Sequence, residues 1–132
     1  MVLGLSHITL VVKDLERTAI FLKEIFGARE IYSSGDNYTI SRAKYFMIND
    51  LWFCLNEGES LTQRTYNHIA FKIEDNEFDE FIIRIKNVGA EIKQGRPRVG
   101  GEGRSIYFYD YDNNLFELHT GNLDERLVHY RK

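Results

Sequence analysis

The 132-residue sequence has a single cysteine and a single proline, no long apolar run and no excess of basic charge. One cysteine, Cys54, excludes an internal disulfide framework. Seventeen Lys and Arg against twenty Asp and Glu leave a net charge of −3. Acids and bases are interspersed, so no basic face argues for nucleic acid. No apolar stretch approaches the roughly 18–20 residues a membrane-spanning helix needs. No cationic leader precedes MVLGLSHITL, so no secretory signal is expected. These absences point to a soluble cytoplasmic protein and leave a disulfide-free secreted one open. Apolar residues, in contrast, make up 43% of the chain and aromatics 14%. That is enough to fill the core of one domain of ordinary size.

What the sequence does contain is one unit twice. SHITLVVKD (6–14) lies over NHIAFKIED (67–75), so that His7 meets His68 and Asp14 meets Asp75, 61 residues apart. Both stretches alternate as half-buried strands do. Each precedes an amphipathic helical stretch, LERTAIFLKEIFG (15–27) or FDEFIIRIKNVG (78–89), that ends at a glycine suited to a C′ cap. A further strand follows, REIYSS (29–34) or AEIKQ (90–94). A hairpin then closes each half, around Asn49-Asp50 in the first and around Asp112, Asn113 and Asn114 in the second. The order predicts an α+β fold of two tandem βαβββ modules, about 1–60 and 61–132, in a single domain spanning 1–132. Two copies are too few for a solenoid. The duplication suggests a pseudo-twofold arrangement with sites between the halves, although duplication for stability alone gives the same repeat.

Two histidines at equivalent strand positions could converge on one point. The second half adds Glu117, set between Phe116 and Leu118 in an apolar strand. An inward carboxylate is costly unless it is paired or binds a cation. The corresponding place in the first half carries Trp52 or Phe53. His7, His68 and Glu117 would make an open two-histidine, one-carboxylate site, of a catalytic rather than structural kind. Mn, Fe, Co, Ni or Zn suits such donors. Other pairings stay open: His119 shares the Glu117 face and could replace a ligand, and Glu117 could pair with an arginine. His129 falls in a polar tail. Cys54, within LWFCL, reads as a core thiol. The stretch GRPRVGGEGRS (95–105) lacks P-loop spacing, but Arg96, Arg98 and Arg104 suit an anionic group such as a phosphonate.

GLSHITLVVKDL, YNHIAF, GEGRSIYFYD and LFELHTGNLDERL occur in this order. Together they resemble the fosfomycin resistance proteins of the vicinal oxygen chelate superfamily, the FosX subgroup most. The resemblance implies a Mn²⁺-dependent homodimer that exchanges modules, with His7, His68 and Glu117 as metal ligands. It implies fosfomycin, an epoxide phosphonate, as substrate. Thr9 would bond the oxirane oxygen, Tyr107 and Arg126 the phosphonate, and Trp52 would form a pocket wall. In the thiol-transferring relatives the loop before Tyr107 contributes a lysine to the site, and Arg96 or Arg98 would replace it and bind substrate here. FosX-type members add water with a glutamate base. That position falls on Ala43, so the expected base is absent. Glu102 and Asp36 are candidate substitutes. The leading expectation is opening of the epoxide by water. The alternatives are a glutathione or bacillithiol transferase, a non-enzymatic binding protein of the same fold, and a ring-cleaving dioxygenase, which the arginine-rich loop disfavours.

Overall fold

The period-two stretches form strands, and the amphipathic stretches form the helices between them. The computed structural model describes residues 1–95, 100 and 102–132, and the chain divides into two compact units, Met1–Thr62 and Gln63–Lys132. Each is a βαβββ module, as the internal repeat predicts. The first runs β1 (His7–Val12), α1 (Leu15–Phe26), β2 (Arg29–Ser33), β3 (Ala43–Ile48) and β4 (Leu51–Glu57). The second runs β5 (His68–Lys72), α2 (Phe78–Asn87), β6 (Ile92–Lys93), β7 (Ser105–Tyr109) and β8 (Leu115–His119), and ends in α3 (Leu123–Tyr130).

The sheets have equivalent orders, β1-β4-β3-β2 and β5-β8-β7-β6. In each, the first strand pairs in parallel with the last, and the hairpin pairs antiparallel. The histidine strand is therefore an edge strand. Helix α1 starts where Asp14 accepts a hydrogen bond from the Arg17 N–H at 3.0 Å, as a capping aspartate does. It ends at Gly27, whose φ of 63° a side chain would disfavour. Its buried face, with Phe21, Leu22 and Ile25, matches the buried Phe46, Phe53 and Leu55 of β3 and β4. In the second module Ile85, Ile106, Phe108, Phe116 and Leu118 are buried in the same way. With these positions taken by core, the alternation leaves His7 and Thr9 on the open face of β1, and His68 and Ala70 on that of β5.

Two expectations change. The strand predicted over 90–94 shortens to Ile92–Lys93, paired with Phe108 and Tyr107. The polar tail is a helix. Asn122 caps it, accepting from the Glu125 N–H at 2.9 Å while its amide donates to the Glu125 carboxylate at 2.6 Å. His129 is exposed on this helix. Arg96 and Arg98 lie outside the described residues.

Lys44 of β3 is buried and is paired within the first module. Its Nζ lies 3.1 Å from Glu30 and 3.4 Å from Glu16. Burial pushes the Glu30 carboxyl up, but Lys44 and Lys23 overcome this and hold it below the usual carboxylate range. We expect Lys44→Met to destabilise the protein by about 1–3 kcal/mol, the cost of stranding a polar partner. Because the folded pKa of Glu30 is depressed, its contribution is present at neutral pH and lost as the pH falls through that pKa. The gap between wild type and variant in urea unfolding should therefore narrow below about pH 4. An equal gap at pH 7 and pH 3 would remove Glu30 from the account.

Candidate metal centre

Strand register puts the candidate residues of the second module together. His68 pairs with Leu115 and Ala70 with Glu117, so His68 and Glu117 are diagonal neighbours on the open face. Glu117 is 5% exposed, which demands compensation for its charge. Its Oε1 lies 3.0 Å from His68 Nε2. The other His68 nitrogen, Nδ1, is 2.7 Å from the Tyr66 carbonyl. A carbonyl only accepts, so Nδ1 carries a proton. In the neutral ring, Nε2 then turns a lone pair toward a carboxylate oxygen. Two electron-rich atoms at that distance need a positive charge between them, a proton or a metal ion. A histidine held by a carbonyl and facing a carboxylate is the form metal-binding imidazoles take.

The second carboxylate oxygen is held from the other side. Ser105 Oγ donates to Glu117 Oε2 at 2.5 Å. Ser105 Oγ also lies 2.7 Å from His119 Nδ1, and His119 Nε2 lies 3.2 Å from an Arg126 Nη. His119 shares the Glu117 face, as expected, but both its nitrogens are engaged in this chain. That argues against its serving as a ligand. The arginine reaches Glu117 through His119 and Ser105. Among the described residues, no cluster of three or more His, Cys, Asp or Glu side chains is arranged to hold a metal. The second module supplies two converging donors.

Helix α3 positions Arg126. Tyr130, one turn on, donates its hydroxyl to Glu102 at 2.5 Å. Glu102 is 1% exposed and tied to this helix, which removes it as a substitute base. A cavity of about 330 Å³ opens here, lined by His68, Ala70, Glu117, His119 and Arg126 together with Gly121, Asn122 and Leu123. Tyr107 sits opposite Glu117 on β7, with its hydroxyl 3.1 Å from that of Tyr66 and its ring edge-on to His68 at 5.5 Å.

In the first module His7 packs on Trp52, with ring centroids 4.2 Å apart. Ser6 Oγ lies 3.0 Å from His7 Nδ1. Thr9 lies opposite Cys54, and Ala43 opposite Asn56. These residues share one face of the sheet. The register also corrects an equivalence. His7 pairs with Trp52 and Thr9 with Cys54, whereas His68 pairs with Leu115 and Ala70 with Glu117. The counterpart of Glu117 is therefore Cys54, not Trp52 or Phe53. By the same strand pairing, Ser105 corresponds to Ala43 and His119 to Asn56. Burial pushes the Cys54 thiol up, which keeps it protonated and argues against a nucleophile. Asp36 is exposed, 3.8 Å from Arg42.

Sequence reasoning did not single out Ser105 or Tyr66. The signal for Ser105 was present, because it stands two residues before Tyr107 in the same alternation.

Comparison with known proteins shows the family of the chain. Residues 4–118 match the model of the Glyoxalase/Bleomycin resistance protein/Dioxygenase superfamily. The fosfomycin resistance protein FosX of Listeria innocua is 64% identical over the whole of both chains, and that of Listeria monocytogenes 62%. A crystal structure of a mutant of the Listeria monocytogenes protein holds Mn(II) and 1S,2S-dihydroxypropylphosphonic acid. It superimposes with a TM-score of 0.92 at 60% identity, covering 98% of this chain and 99% of the other.

Proposed function

We propose that this chain, which belongs to the glyoxalase/bleomycin resistance protein/dioxygenase superfamily, opens the epoxide of fosfomycin with water and so confers resistance to that antibiotic. The observation that carries this is the His68–Glu117 pair, two donors turned to each other across 3.0 Å with the imidazole proton pinned on the far nitrogen. In chains as similar as FosX, the same fold accommodates Mn(II) and a diol phosphonate.

In this reading His7, His68 and Glu117 hold Mn²⁺, and the two modules act as one domain over 1–132. When bound, the metal supplies Lewis-acid charge beside the oxirane oxygen as its C–O bond breaks. Thr9 donates its hydroxyl to that oxygen. Arg126 and Tyr107, with Arg96 or Arg98, hold the phosphonate, and Trp52 walls the pocket. A water oxygen bonds to a ring carbon, the C–O bond breaks, and the ring oxygen takes up a proton to give the vicinal diol. The proton lost by water has no carboxylate to receive it at Ala43 and passes to solvent. We assign the protein to the cytoplasm, where the single Cys54 thiol stays reduced. A homodimer would let His7 of one copy complete the pair on the other. Ala43 favours a second reading as well: a position without a base leaves room for a thiol that brings its own nucleophile.

³¹P NMR of fosfomycin with Mn²⁺-loaded protein, with and without glutathione or bacillithiol, separates these readings. The diol phosphonate is expected without thiol. An adduct that needs thiol would make the protein a transferase, and an unconsumed substrate would end both readings.

A further inference from the structure

We infer that Ser105 and His119 are positioning residues for the Glu117 carboxylate, and that they set the affinity of the site for its metal. This rests on the metal centre proposed above. The direction of each hydrogen bond follows from one fixed point. Arginine carries only donors, so Arg126 donates to His119 Nε2 at 3.2 Å. That nitrogen is then the acceptor, and the proton of the ring sits on Nδ1. Nδ1–H donates to Ser105 Oγ at 2.7 Å. With its lone pair so used, the hydroxyl directs its proton to Glu117 Oε2 at 2.5 Å. Every step points toward the carboxylate, and no step can be reversed while Arg126 stands at the end.

The chain has two effects. It fixes the rotation of the carboxylate, since Oε2 is tied to Ser105 while Oε1 faces His68. It also gives the buried Oε2 a donor, so that the carboxylate is not left unsatisfied on that side. The backbone reinforces it. Arg104 N donates to Thr120 Oγ1 at 2.9 Å and Thr120 N to the Arg104 carbonyl at 3.0 Å, clamping the start of β7 to the end of β8. A Cβ on Gly103 would come within 2.5 Å of Gly121 N, so only glycine lets the two segments approach this closely. The first module supplies an internal contrast. The positions equivalent to Glu117, Ser105 and His119 are Cys54, Ala43 and Asn56, and the module that lacks the carboxylate lacks its support too.

The test is Mn²⁺ binding, followed by EPR of the free aquo ion, in wild type, Ser105→Ala, Ser105→Thr, His119→Ala and His119→Asn, with thermal melting of each. Both alanine variants should bind Mn²⁺ about 10–100-fold more weakly, the usual effect of removing a group that orients a ligand, with melting close to wild type. Ser105→Thr keeps the hydroxyl. His119→Asn keeps a donor near the Nδ1 position but loses the link to Arg126. Both should recover most of the affinity. Alanine variants that bind as wild type does, or conservative variants as weak as the alanines, would overturn the inference. A wild type that binds no Mn²⁺ would overturn the metal centre itself.

Discussion

His68→Ala should abolish Mn²⁺ binding and fosfomycin turnover together. The side chain supplies one of the two donors that converge in the second module, and its removal leaves the Glu117 carboxylate facing the cavity without that partner. Stabilisation of the opening epoxide by a metal is worth several kcal/mol. At about 1.4 kcal/mol per factor of ten, turnover should fall at least about 10³-fold. Binding can be read by EPR without turnover, and turnover by ³¹P NMR. The two losses must coincide. A variant that keeps the affinity but loses activity would make His68 a substrate contact, and one that keeps both would refute the metal assignment. Glu117→Gln is the companion experiment. It retains the shape of the side chain and an oxygen acceptor but removes the charge, so its affinity should also fall.

Ala43→Glu should raise the rate of diol formation by about 10²–10⁴-fold, the usual contribution of a well-placed general base. The position stands on β3 directly opposite Asn56, on the sheet face that also carries Thr9 and His7. Ala43 is half-buried, so the new carboxylate keeps some access to water. The gain should be independent of added thiol. It should vanish as the pH drops through the ordinary carboxylate range near 4, because a protonated glutamate accepts no proton from water. An unchanged rate would move the missing base to another position. A gain confined to thiol addition would assign the pocket to a different nucleophile.

Both experiments start from features legible in the sequence to different degrees. The histidine strands were readable because alternation is local: every second residue of SHITLVV and NHIAFK faces one side, and the 61-residue repeat repeats it. Helix α1 was readable to its last turn because Gly27 marks its end. The short β6 was not, since pairing of only Ile92 and Lys93 is decided by where β7 passes. Nor was α3 recognised. LDERLVHY carries Asp124, Glu125, Arg126 and His129 and reads as a polar tail, and the helix is anchored by the Asn122–Glu125 cap and by Tyr130 on Glu102, a contact 28 residues back along the chain.

The sequence by itself determined the two βαβββ modules, the pair of equivalent histidines and one carboxylate without a counterpart, because each follows from local pattern and repetition. Only the tertiary structure decided that His68 and Glu117 meet, that Cys54 is the true counterpart of Glu117, and that Ser105 and His119 stand between Arg126 and the carboxylate. These depend on the register of β5 on β8, whose paired residues are 47 apart in sequence, as His68 and Leu115 are. A shift of that register by a single residue would turn Glu117 away from the open face, and no pattern within either strand alone records it.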